Sequence, residues 1–325
     1  MQRTFLHCAL AFAALFGRSA AGQGAESSPR VKALKITVLS TMLADGDELG
    51  EWGFAALVEA DGRRILFDTG AKTDVVLKNT QTMKVDLAEV ADVVLSHWHD
   101  DHVGGFMTLR NAVRAKSPRA LGRTHVGEGI FASRVNPTLR AELNPMVRLR
   151  SAYEATGGKF QIHAKPAQIY PGVWLTGTVP RRHPERNWSG RAQVASSAGM
   201  VEDTIQDDMA LVVNTAEGLV IVTGCGHAGV INITDHARSF IRPARIHALI
   251  GGVHLFNANE TTLAWTTARL REFGLDHFMG AHCTGIETVY RFRQDLALER
   301  SRCVVAAVGA SFELGRGIDP RAIAK

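Results

Sequence analysis

From residue 32 onward, short apolar runs alternate with polar, glycine-bearing turns, and this alternation sets the expected elements. "ALKITVLS" (33–40), "FAALVEA" (54–60) and "RRILFDTG" (63–70) are rich in β-branched and aliphatic residues and bounded by turn formers. They predict three antiparallel strands. "AKTDVVLKNT" (71–80) and "VDLAEV" (85–90) predict helical pieces, "ADVVLS" (91–96) a strand, and "GGFMTLRNAVRAK" (104–116) places apolar residues at helical spacing. Residues 115–170 are interrupted by Pro118, Pro137, Pro145, Pro166 and a "TGG" and predict only short pieces. The second half repeats the grammar. Strands are expected in "VWLTGTV", "MALVVNT", "LVIVTGCG", "IHALIGGVHL" and "RCVVAAVGAS". Helices are expected in "VINITDHARSF", in "NETTLAWTTARLREFG" with Asn259 or Thr261 as its cap, and over roughly 286–299. No Pro- or Ser-rich linker divides the halves. The pattern predicts one α+β domain over 34–325, two sheets packed together with helices outside.

The first thirty residues differ from this grammar. "MQR" supplies a positive start, "TFLHCALAFAALF" an apolar core and Ser19-Ala20-Ala21 a small-x-small cleavage site. The apolar run is short of the roughly 18–20 residues that span a bilayer, and His7 interrupts it. The expectation is a cleaved export signal over 1–21, a flexible segment over 22–33, and a periplasmic or secreted protein with no membrane insertion after cleavage. Cleavage would leave Cys225, Cys283 and Cys303, an odd and widely spaced set that makes no disulfide framework. Two of them sit beside histidines, in "GCGH" and "AHCTG", which points to metal chemistry; Cys303, in "CVVAAVG", is a small core residue. The formal charge of +5 comes from 37 basic and 32 acidic residues scattered along the chain. No basic run is interleaved with aromatics, so no nucleic-acid partner is expected, and a small anionic substrate suits the charge equally well. Oligomeric state leaves no trace in the sequence.

The concentrated chemistry lies in "SHWHDDH" (96–102), directly behind the apolar "ADVVL". Three imidazoles and two carboxylates delivered by an apolar strand to a dry place require compensation, and a cation supplies it. His97, His99 and Asp101 fall at alternate positions, so an extended turn converges them; Asp101 and His102 together offer ligands to a second point close by. Imidazole with carboxylate suits zinc first, with iron or manganese as alternatives. His254, in "GGVHL", ends an apolar strand and is expected to line a pocket, and His125, in "RTHVGEG", is a further pocket candidate. His163, His236, His247 and His277 are expected in the core or on the surface.

"LFDTG" (66–70) and H-x-H-x-D-H (97–102), in their strand–loop–helix context, resemble the metallo-β-lactamase superfamily. "LSHWHDDHVGG", "TGCGHAG", "GGVHL" and "HCTG" are similar to a branch of that superfamily, the metallo-hydrolases resembling dihydropterin-ribofuranosylaminobenzene phosphate synthase. The resemblance runs from about residue 34 to 315 and implies an αββα sandwich with one or two metals at one sheet edge. It implies His97 and His99 as ligands of a first metal, and Asp101, His102 and His282 as ligands of a second. Cys225 stands where most members carry a bridging aspartate, with His227 two residues on, and both become candidate ligands. His183 lies in the segment where many members place their third first-site histidine. The resemblance further implies that Asp207 and Asp208 accept hydrogen bonds from ligand imidazoles and that Asp68 fixes the histidine loop.

The expected activity is hydrolysis of an ester, lactone, amide or phosphoester of a small substrate by a metal-activated water, with Asp101 orienting that water. Three alternatives stay open: an antibiotic-degrading β-lactamase, whose motif pattern differs, a mononuclear iron dioxygenase of the same fold, and a metal-stabilised binding protein without turnover.

Overall fold

The computed structural model describes residues 28–187 and 192–324, so the export signal expected over 1–21 lies outside the described residues. Two sheets lie face to face. The first has eight strands in the order Gly317–Asp319, Ser311–Glu313, Leu34–Ser40, Ala55–Ala60, Arg63–Phe67, Asp92–Leu95, Arg123–Gly127 and Lys159–His163. Its sequence-adjacent strands at the start are antiparallel, as expected, and the last four strands run parallel. The second has seven strands: Cys303–Val305, His277–Gly280, Ile246–Gly251, Leu219–Thr223, Leu211–Asn214, Val173–Leu175 and Ala167–Tyr170. The first four of these are parallel.

Strand alternation sorts the side chains into layers. Ile36, Val38, Phe67 and Val94 of one sheet meet Leu211, Val220, Ile250 and Met279 of the other in the central core. The opposite faces are covered by helices. Phe106 and Leu109 of helix Phe106–Arg114 pack over the first sheet. Ile231 and Ile233 of helix Val230–Phe240, Leu263 of Glu260–Glu272 and Val289 of Ile286–Asp295 cover the second. This is the expected αββα sandwich. Burial on both faces explains why the strands are continuous apolar runs such as "LVIVT".

Three local differences have physical causes. Residues 85–90 form no helix; six residues cannot repay helix nucleation, and Leu87 and Val90 instead anchor the loop in the outer layer. Residues 28–31, expected to be flexible, are tied to the second sheet. Asn214 donates its side-chain amide to the carbonyls of Ser28 and Pro29, and Val31 donates its N–H to the Asn214 carbonyl at 2.8 Å. The 115–200 region contributes a small third sheet, Arg134–Val135 with Gln193–Ser196 and Gly199–Glu202. Among the described residues no helix is long and apolar enough to cross a membrane.

Candidate metal centre

Both sheets end at one edge, and the loops leaving their strands carry the chemistry. Arg63–Phe67 leads into Asp68 and Asp92–Leu95 into the histidine turn; in the other sheet, Leu219–Thr223 leads to Cys225 and His227, Ile246–Gly251 to His254, and His277–Gly280 to His282. The ends of parallel strands all face the same way, which is why distant motifs meet. The "DTG" and "HVGG" segments are stitched together. Thr69 donates its N–H and its hydroxyl to the His102 carbonyl at 2.8 and 2.9 Å, and Gly104 donates to the Gly70 carbonyl at 2.9 Å. A Cβ on Gly104 would collide with the Ala71 carbonyl.

Asp68, fully buried with φ 55°, organises the first-sheet side. It accepts the Ser96 N–H, the Ser96 hydroxyl and the His102 Nδ1–H, each at 2.7 Å. Because the Ser96 proton goes to Asp68, the Ser96 oxygen accepts from His97 Nδ1 at 2.9 Å, leaving Nε2 of His97 as a bare lone pair. His227 donates Nδ1–H to the Asn187 carbonyl, which likewise frees its Nε2. These two nitrogens converge on His99 Nδ1 at 3.0 and 3.3 Å. Burial holds His97 and His227 well below the ordinary histidine range and His99 down to about 3, so all three rings are neutral.

A second donor set adjoins the first. Asp101 lies with Oδ2 3.2 Å from His282 Nε2 and Oδ1 3.7 Å from His102 Nε2. Burial opposes charge on Asp101, but His102 and His282 outweigh it and hold the carboxyl well below its usual range. Burial also opposes charge on His102, and the Asp68 and Asp101 carboxylates outweigh it, raising His102 to about 9. Cys225 Sγ sits 3.1 Å from His102 Nε2 and groups with His97 and His102, between the two sets. Burial raises its thiol well above the usual range. His254 and His282 adopt φ 48° and 47°, backbone strain that clusters at functional sites.

The donors fit divalent metal ions. His97, His99 and His227 form one set of atoms within 4.8 Å of one another, and Asp101, His102 and His282 form another. His282 is buried; its Nε2 lies beside the Asp101 carboxylate without hydrogen-bond alignment, and its Nδ1 has no hydrogen-bond partner among the described residues. Converging lone pairs and an orphaned imidazole are costly unless a cation lies between them. A further group, His247, Asp276 and His277, lies at the other end of the same strands. There Arg245 and Arg302 already occupy the Asp276 carboxylate, at 2.6 and 2.5 Å.

Four expected site residues are placed differently. His183 is not brought to the cluster; its Nε2 lies 3.2 Å from Asp235, and His227 stands where a third histidine of the first set is needed. His125 is held inside the first sheet by Asp92 at 2.9 Å and His163 at 3.0 Å. Among the described residues Asp207 and Asp208 accept no imidazole hydrogen bond. Asp207 pairs with Arg134 at 2.6 Å, and Asp208 accepts the Ala228 N–H at 2.9 Å, fixing the turn after His227. Burial raises them to about 7 and about 6.

Several supporting residues carried no sequence signal. Arg134, buried, lies 3.2 Å from Asp203, donates to the Gly129 and Ala132 carbonyls, and stacks 5.4 Å from the ring of Trp98. Trp98 itself donates to Asp203 at 3.1 Å, so this network braces the turn between His97 and His99. Glu185, raised by burial to about 7, accepts the N–H groups of Ile231 and Asn232 at the start of helix Val230–Phe240. Beside the donors opens a cavity of about 710 Å³ lined by Asn187, His254, Phe256, Asn259 and Trp265. Trp52, 48% exposed, lies edge-on to Phe256 and His282 at 5.5 and 4.9 Å.

The sandwich is the metallo-β-lactamase fold, and a family profile described as the metallo-β-lactamase superfamily matches residues 53–159. The chain is similar to that superfamily over this stretch and in its fold. It is similar to the crystal structure of Tm1679, a metal-dependent hydrolase of the β-lactamase superfamily, with TM-score 0.70 and 27% identity over 86% of this chain and 99% of that one. It is 25% identical to the 7,8-dihydropterin-6-methyl-4-(β-D-ribofuranosyl)-aminobenzene-5′-phosphate synthase of Methanocaldococcus jannaschii, over 74% of this chain and 83% of that protein. Zinc-bound PqqB from Methylobacterium extorquens shares the fold at TM-score 0.53 and 16% identity, over 86% of this chain and 100% of that one.

Proposed function

We propose that the protein is a metal-dependent hydrolase of a small, anionic substrate, cleaving an ester, lactone, amide or phosphoester. The observation that carries this reading is the meeting of two donor sets, His97/His99/His227 and Asp101/His102/His282, beside a roomy cavity. Zinc suits these donors first, with iron or manganese as alternatives. Divalent cations held there supply Lewis acidity and a water acidic enough to ionise near neutral pH.

The chain's own groups do the rest. Asp101, partly open to solvent and held ionised, orients a water through its carboxylate and passes the proton to the leaving group. Trp52, Phe256 and Trp265 cover apolar parts of the substrate and exclude bulk water. Asp68, Ser96 and Asn187 hold the imidazoles in the tautomers that present Nε2. On its leader sequence, we propose that the protein is exported.

The similarity to a pterin-pathway synthase favours a second reading, group transfer at the same centre. Assaying the metal-loaded protein and its Asp101→Asn variant on ester, lactone, amide and phosphodiester panels, with and without an alcohol or amine acceptor, tests both. Metal-dependent hydrolysis lost in Asp101→Asn supports the hydrolase. Products formed only with an acceptor support transfer. No turnover of any class, with metal retained, leaves a metal-stabilised binding protein.

A further inference from the structure

The sequence marks Cys283 only as a thiol beside a histidine in "AHCTG", and the two donor sets above leave it unused. The structure places it deep in the fold with an unusual neighbourhood. Its Sγ, the Sγ of Cys225 and a ring nitrogen of His254 all lie within 4.8 Å of one another, and both thiols are buried. Three strand ends meet here, since Cys225 follows Leu219–Thr223, His254 follows Ile246–Gly251 and Cys283 follows His277–Gly280.

The neighbourhood is shaped for the sulfurs. Gly252 lies against the Cys283 thiol, where a Cβ would stand 2.9 Å from Sγ and collide with the Gly224 carbonyl. His254 is held at φ 48°, and its Nδ1 is buried without a hydrogen-bond partner among the described residues. A strained backbone that brings a buried imidazole, one of its nitrogens unpartnered, up to two buried thiols is costly unless a ligand repays it. Cysteine sulfur with one imidazole is a soft donor set, unlike the imidazole–carboxylate sets next to it, and selects thiophilic ions over magnesium, calcium or manganese.

We propose that Cys225, Cys283 and His254 form a third donor set that binds one thiophilic closed-shell cation, such as Zn²⁺, Cd²⁺ or Cu⁺. Cys225 also groups with His97 and His102, so an ion in this set shares a ligand with the main centre. Soft-metal loading therefore competes for the thiolate there.

The test uses the full chain, reduced and stripped of metal, titrated with cadmium. Bound cadmium per chain and the near-ultraviolet sulfur-to-cadmium charge-transfer band are read after desalting. Expected is one cadmium fewer and a weaker thiolate band in Cys283→Ser. His254→Gln should lose the same ion to a chelator concentration that leaves the wild type loaded. His282→Asn, which removes a donor of the imidazole–carboxylate set and no sulfur, should keep the band. Thermal melting checks that Cys283→Ser is folded; if it is not, His254→Gln, whose ring faces the cavity, carries the test. Unchanged cadmium content and band in Cys283→Ser and His254→Gln would overturn the inference, as would a wild type with no thiolate band. Either result leaves the hydrolase reading to its own assay, because the activity panel reads turnover and not sulfur ligation.

Discussion

Replacing Arg134 by methionine takes away one guanidinium that serves both Asp203 and Asp207, three peptide carbonyls and the ring face of Trp98. Methionine fills much of the volume, so the main loss is electrostatic. Asp203 keeps the Trp98 indole N–H and the Ile205 N–H. Asp207 loses its ion pair on Oδ1, and its buried Oδ2 has no hydrogen-bond partner among the described residues. Breaking a buried pair by deleting one member costs about 3–5 kcal/mol, because the remaining charge stays desolvated. At roughly 2–3 °C per kcal/mol for a domain of this size, the melting temperature should fall by roughly 6–15 °C. The pH dependence follows from Asp207, which burial raises to about 7 against the Arg134 charge, while an unfolded carboxyl ionises near 3.9. A carboxyl raised in the folded state leaves stability intact below its unfolded pKa and removes it as pH climbs to the folded value. Without Arg134 the folded value rises further. The deficit of the variant should therefore be larger at pH 8 than at pH 5, and Arg134→Met/Asp207→Asn should recover part of it. Calorimetric or circular-dichroism melts at the two pH values measure this. A shift below about 2 °C, or a larger deficit at pH 5, would refute the reasoning.

Asp68→Ala should weaken metal retention by about 10–100-fold in chelator competition, since Ser96 and His102 lose the oxygens that set their protons; equal retention would show that the ligands orient themselves. His183→Ala should leave metal content unchanged and cost at most about 1 kcal/mol, because its partner is the surface Asp235. Gly104→Ala should destabilise by at least about 1–3 kcal/mol in urea unfolding, since the new Cβ meets the Ala71 carbonyl and must part the "DTG" loop from the histidine turn. Asn259→Ala should cost about 1 kcal/mol by removing the side-chain cap on Thr262 at the start of Glu260–Glu272.

What could be read from the sequence was what is local in it. "FDTG" and "SHWHDDH" each crowd their chemistry into a few consecutive residues, so residue types and spacing announce a metal turn before any contact is known. Apolar runs covered on both faces announced the sandwich in the same way. Choosing between His183 and His227 was beyond spacing. Both lie in loops after strands, and only the folded chain shows that the loop after Leu219–Thr223 brings His227 to His97 and His99 while His183 meets Asp235. Arg134 was invisible because its partners sit 69 and 73 residues away, in a region whose prolines hide short strands. Asp207 and Asp208 looked like partners of imidazoles but hold an arginine and a turn, since a carboxylate before a strand has the same sequence signature whichever donor it meets.

The central claim is that the histidine–aspartate donor sets hold metal ions. Elemental analysis of the full-length protein, purified without chelator, should be compared with the His99→Ala/Asp101→Asn double variant prepared alongside. The prediction is two fewer ions per chain in the variant. Equal metal contents in the two proteins, or no metal in either after reconstitution, would contradict it.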